Sequence, residues 1–201
     1  MGNERLGNEA ATLRYIRENT NIPVPSLICD FLDDESHYLI MEWVEGINMK
    51  DIPDQEKPRV NTEIRKHLTT LRTLKSKTLG GPTGIIIPPY RISSVAMNDK
   101  LNLKASDTEE YVFCHNDLSQ QNIILDPDTF EIKAILDWEY AGFWPHYFEK
   151  EIFLRLGHSS NMRGEVDDRR KLLEFLKSQQ IPVRPSSTTI LQSLPIIYLQ
   201  L

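Results

Sequence analysis

No stretch of this sequence reaches the roughly 20 consecutive apolar residues that a membrane-spanning helix needs. The nearest approach, ILQSLPIIYLQL at 190–201, is short and broken by Pro195, and reads as a helix end packed on the protein body. A basic surplus is also missing. The chain has 23 Lys and Arg against 29 Asp and Glu, a net charge of −6, with no run of basic residues interleaved with aromatics, which excludes a typical nucleic-acid surface. Cysteine is scarce. Cys29 and Cys114 stand too far apart for a zinc pattern and are expected to be reduced thiols in the core of a cytoplasmic protein. The opening residues are charged rather than apolar, unlike a secretory signal, and Leu6 stands where an N-myristoylation motif wants Ser or Thr. What remains is ordinary globular material. With 201 residues, 40% hydrophobic and 26% charged, the chain suits one domain or two small lobes around a buried core.

Against that plain background stands FCHNDLSQQNIILDPDTFEIKAILDWEYAG at 113–142. Asp117 follows His115 and Asn116, Asn122 comes five residues later, and Asp137 closes the second of two short apolar runs. Ile123–Leu125 and Ala134–Leu136 flank the turn-prone Asp126, Pro127, Asp128 and Thr129, which predicts a hairpin with its turn near Thr129 and Phe130. Antiparallel pairing then makes Asn122 and Asp137 neighbours. An amide oxygen and a carboxylate converging on one point suit magnesium, and a further carboxylate at Asp117 suits a reacting hydroxyl. Phosphoryl transfer asks for such positioning and charge neutralisation more than for covalent chemistry. A hydrolase with paired carboxylates would also use two close aspartates, but would have no need of Asn122.

Four segments in order extend the pattern. HNDLSQQN resembles the catalytic loop of the aminoglycoside phosphotransferase and choline kinase group, within the protein-kinase-like fold, and ILDWEYAG resembles its magnesium-binding segment. NEAATLRYIRENTNIPVP is similar to the helix after the third strand of that fold with its connector, and HYLIMEWVEG to the strand and hinge that hold adenine. The resemblance spans roughly positions 8 to 149. It implies an α+β, two-lobe fold: a truncated N-terminal lobe over 1–46, holding a helix, a hairpin and the hinge, and a mainly helical C-terminal lobe over 47–201. It further implies ATP- and magnesium-dependent phosphorylation of a small-molecule hydroxyl. Asp117 would be the catalytic base or hydroxyl-orienting group, His115 would support the loop, and Asn122 and Asp137 would bind magnesium. The backbone of Glu42, Trp43 and Val44 would form the adenine hinge, and Glu9 would match the helix glutamate that pairs with a lysine on the preceding strand.

No lysine precedes Glu9, the first in the chain being Lys50, and MGNERLG has no flanking strands to form a glycine-rich phosphate cover. Removing one preorganised donor from a charge-stabilised transition state costs about 2.7–4 kcal/mol, so the family and the activity are separate questions. A fragment of a longer kinase, a non-catalytic pseudokinase or interaction module, and a chain completed by another chain all fit this start.

The remaining periodicities organise the rest. Leu6, Ala10, Leu13 and Ile16 predict a helix ended by Pro23 and Pro25; SLICDFL and HYLIMEWV predict a hairpin about Asp33–Ser36, with Gly46 at the hinge exit. Val60, Ile64, Leu68, Leu71 and Leu74 predict a long helix, and EKEIFLRL and RRKLLEFLKS two more. GGPTGIIIPP has three glycines but leads into Pro88 and Pro89 rather than a helix, which argues for a plain loop over a phosphate cradle. Glu139, Glu149 and Glu151 would suit a cationic acceptor such as an amino sugar or a choline-like amine, or would simply be solvated helix charges.

Overall fold

The computed structural model describes residues 2–92, 110–157, 159–160, 162 and 164–179, so the apolar segment 190–201 lies outside the described residues. Helix α1 (Gly2–Asn19) buries Ala10, Leu13 and Ile16 along one stripe. Its end is fixed by Thr20, whose N–H and hydroxyl both donate to the Ile16 carbonyl. Strands β1 (Leu27–Asp33) and β2 (Ser36–Met41) form the expected antiparallel hairpin. Asp34 and Glu35 turn it with φ of 43° and 61°, the twist that two-residue hairpin loops favour.

One expectation fails on this hairpin. A register shift between Leu27 and Cys29 sets Cys29 opposite Ile40 on the outer face, so its thiol is exposed, whereas Cys114 is buried as expected.

After Gly46 come β3 (Ile47–Asn48) and α2 (Lys57–Thr73). Pro58 sits in the first turn of α2, where its missing N–H costs nothing, and Val60, Ile64, Leu68 and Leu71 are buried at the predicted helical spacing. Strand β4 (Lys75–Ser76) and the fully buried β5 (Tyr111–Cys114) bracket a long excursion. The motif-bearing hairpin is β6 (Ile123–Leu125) and β7 (Ile132–Ile135), followed by β8 (Gly142–Trp144) and α3 (Arg169–Gln179). Among the described residues three small antiparallel sheets result, ordered β1-β2, β3-β6-β7 and β4-β5-β8. EKEIFLRL is not the helix its spacing predicts. Only a single 3₁₀ turn forms at Ile152–Leu154, because the Phe153 carbonyl is captured by the Gln120 side chain and Glu151 is drawn to Arg65 on α2.

The larger core joins Leu13 and Ile16 of α1, Ile64 and Leu68 of α2, Phe113, Ile123 and Trp138. A second cluster packs Tyr111, Trp144 and Phe148 against Leu172 and Leu176 of α3. The fold is thus α+β. No helix among the described residues is long and apolar enough to cross a membrane.

Candidate active site

The loop between β5 and β6 is held by contacts from several segments. His115 is fully buried, with its ring centroid 4.5 Å from that of Trp138. Its Nε2–H donates to the Leu136 carbonyl at 3.0 Å, and its Nδ1 accepts the Asp117 N–H at 3.2 Å. Burial pushes this imidazole down to about 4, so it is neutral near pH 7 and acts as a brace between the loop and the segment before Asp137. Beneath the loop, the Glu149 carboxylate accepts the backbone N–H groups of His115 and Asn116. Glu149 as a residue keeps some surface, but its Oε1 is enclosed, and burial pushes the carboxyl up to about 7. Asn116 takes a left-handed φ of 69°, a conformation a non-glycine residue holds only where its surroundings insist.

The hairpin does what its turn residues predict. Asp126 accepts from the N–H groups of Asp128 and Thr129, Ile123 pairs with Ile135, and the Leu136 N–H donates to the Asn122 carbonyl at 2.8 Å. Asn122 and Asp137 therefore meet, with Nδ2 to Oδ2 at 3.4 Å. The same Nδ2 donates to the Asp117 carbonyl at 2.8 Å, which ties all three residues together and leaves the Asn122 Oδ1 as the accepting oxygen of that side chain. Asp137 has φ of 64°. Burial raises its carboxyl above the ordinary range, against the pull of Asn122 and Arg5. Burial likewise raises Asp117 to about 6, against the pull of the Ser159 hydroxyl and with the charges of Asp137 and Glu139 adding to it, and the Asp117 Oδ1 itself is enclosed with no hydrogen-bond partner.

This donor set fits a magnesium ion. Its hard oxygens come from one amide and one carboxylate, the neighbouring carboxylates repel one another, and an orphaned carboxylate oxygen stands beside them. No group of three or more His, Cys, Asp or Glu that could hold a metal ion forms among the described residues.

On the other side, Glu42, Trp43 and Val44 line a cavity of about 640 Å³ together with Met41, Ile124 and Leu136. The Glu42 N–H is already bound to the Ser26 carbonyl, while the backbone of Trp43 and Val44 makes no backbone hydrogen bond among the described residues. Gly46 is required at the exit, since a Cβ there would fall 2.4 Å from the Leu125 carbonyl oxygen.

Glu9 lies against the same segment. It is buried, it accepts the Trp138 N–H at 3.3 Å, and burial with the nearby Asp137 charge raises its carboxyl to about 7. Among the described residues no cation pairs with it. Of the acidic residues read either as acceptor-facing or as solvated helix charges, Glu149 anchors the loop backbone and Glu151 forms a two-toothed pair with Arg65. Glu139 stays near the cleft, paired with Arg5 at 2.8 Å. Sequence reasoning passed over Arg5, Asn8 and Asn116, all of which grip the segment after Asp137; their closeness to Glu9 and Asp117 in the chain is the one signal that could have drawn notice to them.

The fold is the protein-kinase-like one. The structure aligns with aminoglycoside phosphotransferase APH(3'')-Id from Streptomyces rimosus ATCC10970, determined in complex with ADP and streptomycin, with a TM-score of 0.51 at 17% identity over 87% of this chain and 74% of that one. Residues 30–154 match the family model for choline/ethanolamine kinases, and the chain belongs to that family. It is 26% identical to the aminoglycoside 3'-phosphotransferase of Streptomyces ribosidificus over 66% of its own length and 58% of that protein's. To the probable choline kinase 2 of Arabidopsis thaliana it is 28% identical, over 58% of this chain and 32% of that one. The chain thus spans little more than half of the first relative and a third of the second.

Proposed function

We propose that this protein transfers the terminal phosphoryl group of ATP to a hydroxyl of a small molecule, with magnesium as cofactor. The observation that carries this reading is the meeting of Asn122 and Asp137 beside an Asp117 whose enclosed Oδ1 has no partner. In this account the backbone groups of Trp43 and Val44 take the purine edge, and the apolar walls of the cavity cover its faces. The Asn122 Oδ1 and the Asp137 carboxylate would hold the magnesium ion, which when bound would neutralise charge on the nucleotide phosphates. Asp117 orients the acceptor hydroxyl and takes its proton as the new P–O bond forms and the bond to ADP breaks. A carboxyl at about 6 is ionised at neutral pH yet basic enough to accept that proton. His115 remains neutral and keeps the loop in place.

Residues 1–46 belong in this reading to the smaller lobe, and the described residues from 47 onward to the larger. The free thiols of Cys29 and Cys114 agree with a reducing, cytoplasmic setting. An amine-bearing acceptor is the finer form of the proposal, in line with the names of the relatives and with Glu139 at the cleft. A second reading, a non-catalytic module, draws on Glu9, whose carboxyl meets no cation among the described residues.

Melting with Mg-ATP separates the two. At a hundredfold excess over Kd, ligand binding adds about 2.7 kcal/mol. The proposal expects a magnesium-dependent rise in melting temperature that Asp137→Asn loses, and no rise in a folded wild-type sample would overturn it.

A further inference from the structure

Three consecutive carbonyls just beyond Asp137 are gripped by two enclosed side-chain amides. Asn8 of α1 donates through Nδ2 to the Glu139 carbonyl at 3.1 Å and to the Ala141 carbonyl at 2.9 Å. From the opposite side Asn116, directly before Asp117, donates through Nδ2 to the Tyr140 carbonyl at 2.9 Å. Both asparagines are 0% exposed. The segment thus passes between a helix and the catalytic loop with its backbone held from both.

Around this clamp the other polar residues of α1 act in the same sense. Arg5 donates to the Glu139 carboxylate at 2.8 Å and to the Tyr140 hydroxyl at 2.7 Å, and Glu9 accepts the Trp138 N–H. Residues 5, 8 and 9 share one helical face, so a single rigid element addresses residues 138–141. Asn8 is itself fitted into place by the glycine-rich loop, because a Cβ at Gly81 would stand 1.7 Å from the Asn8 Oδ1. The GGPTG segment, which lacks the context of a phosphate cradle, thereby acquires a use.

We propose that Asn8 is a positioning residue for the metal site: by holding the Glu139 and Ala141 carbonyls it keeps Asp137 in its left-handed conformation and aimed at Asn122. This rests on the phosphotransferase reading above. A non-glycine residue at φ of 64° relaxes unless its surroundings over-determine it, and the carbonyls that follow it are where this structure does so. The role calls for an amide. A carboxylate of the same shape would replace two donors with acceptors facing carbonyl oxygens.

The test is a Mn²⁺ titration of the full chain with ADP present, followed by electron paramagnetic resonance, beside the metal-free melting temperature. Asn8→Ala and Asn8→Asp are expected to weaken Mn²⁺ binding at least tenfold. Gly81→Ala, which disturbs Asn8 from outside and leaves its amide intact, weakens it in the same direction and stands in if the Asn8 variants do not fold. Thr12→Val, a buried polar position one turn further along α1, leaves Mn²⁺ affinity unchanged. A purely structural Asn8 would lower the melting temperature and leave the affinity of the folded protein as it was, which overturns the inference, as does an equal loss in Thr12→Val. Absence of Mn²⁺ binding by the wild type overturns the phosphotransferase reading itself, and this inference with it.

Discussion

The two walls of the cleft are built on opposite terms. On the side of Asp117 the supporting residues His115, Asn116 and Gln120 are enclosed, and each bonds to a distant segment: Leu136, Tyr140 and Phe153 respectively. On the hinge side the hairpin rests on α1 by one face and shows solvent the other, with Phe31 and Tyr38 stacked at the surface and Trp43 90% exposed. Under the proposed function the difference follows from what each wall would contribute. Asp117, Asn122 and Asp137 offer side-chain atoms whose positions must be fixed, and low-dielectric polar networks fix them at the cost of tolerance. The hinge offers backbone groups, which a strand end presents whatever side chains it carries.

Substitutions can break or sharpen that contrast. The largest effect is expected at Trp138, which is fully buried, packs against His115 with the two rings tilted by 46°, and donates its indole N–H to the Ile135 carbonyl at 2.8 Å. Trp138→Ala should cost about 3–5 kcal/mol in urea denaturation and loosen both halves of the loop brace together.

A smaller effect appears as pH dependence. Glu149 is held at about 7 against an ordinary 4.5, so its contribution to stability is present below about pH 4.5 and is lost as pH rises through 7. His115, pushed from 6.5 to about 4, works the other way: its contribution is present above 6.5 and is lost as pH falls through 4. Glu149→Gln removes the first of these. Relative to the wild type, the variant should therefore gain stability steadily between pH 4.5 and 7, seen as a rising difference in urea midpoints; a flat difference would show that Glu149 titrates normally.

The smallest effect is expected on the hinge side. Phe31→Thr breaks an exposed cross-strand stack with Tyr38 and should change stability by no more than about 1 kcal/mol. A loss as large as that at Trp138 would erase the contrast between the walls.

How far the sequence could foresee this site depends on the distance over which each contact acts. The meeting of Asn122 and Asp137 was legible because Asp126, Pro127 and Asp128 close a short hairpin locally, and α2 was legible because its apolar residues keep one period. The Asn8 contacts join residues more than 130 positions apart, and no local pattern announces them. Glu149 was visible as a charge but not as an anchor, since its role is set by backbone groups of His115 and Asn116 that any residue would supply. Cys29 was misplaced by a one-residue register shift in β1, and EKEIFLRL by tertiary capture of the Phe153 carbonyl. Both show tertiary context overriding a local period.

The central claim is that the enclosed wall performs phosphoryl transfer through Asp117. Its most direct test is acceptor-dependent ADP release from Mg-ATP across a panel of small hydroxyl compounds, amino sugars and choline-like amines among them, for the wild type and Asp117→Asn. The account predicts release that depends on the acceptor and falls by about 10²–10⁴-fold in a variant that melts as the wild type does. Release that is unchanged in Asp117→Asn, or absent with every acceptor in a wild-type protein that binds Mg-ATP, would contradict it.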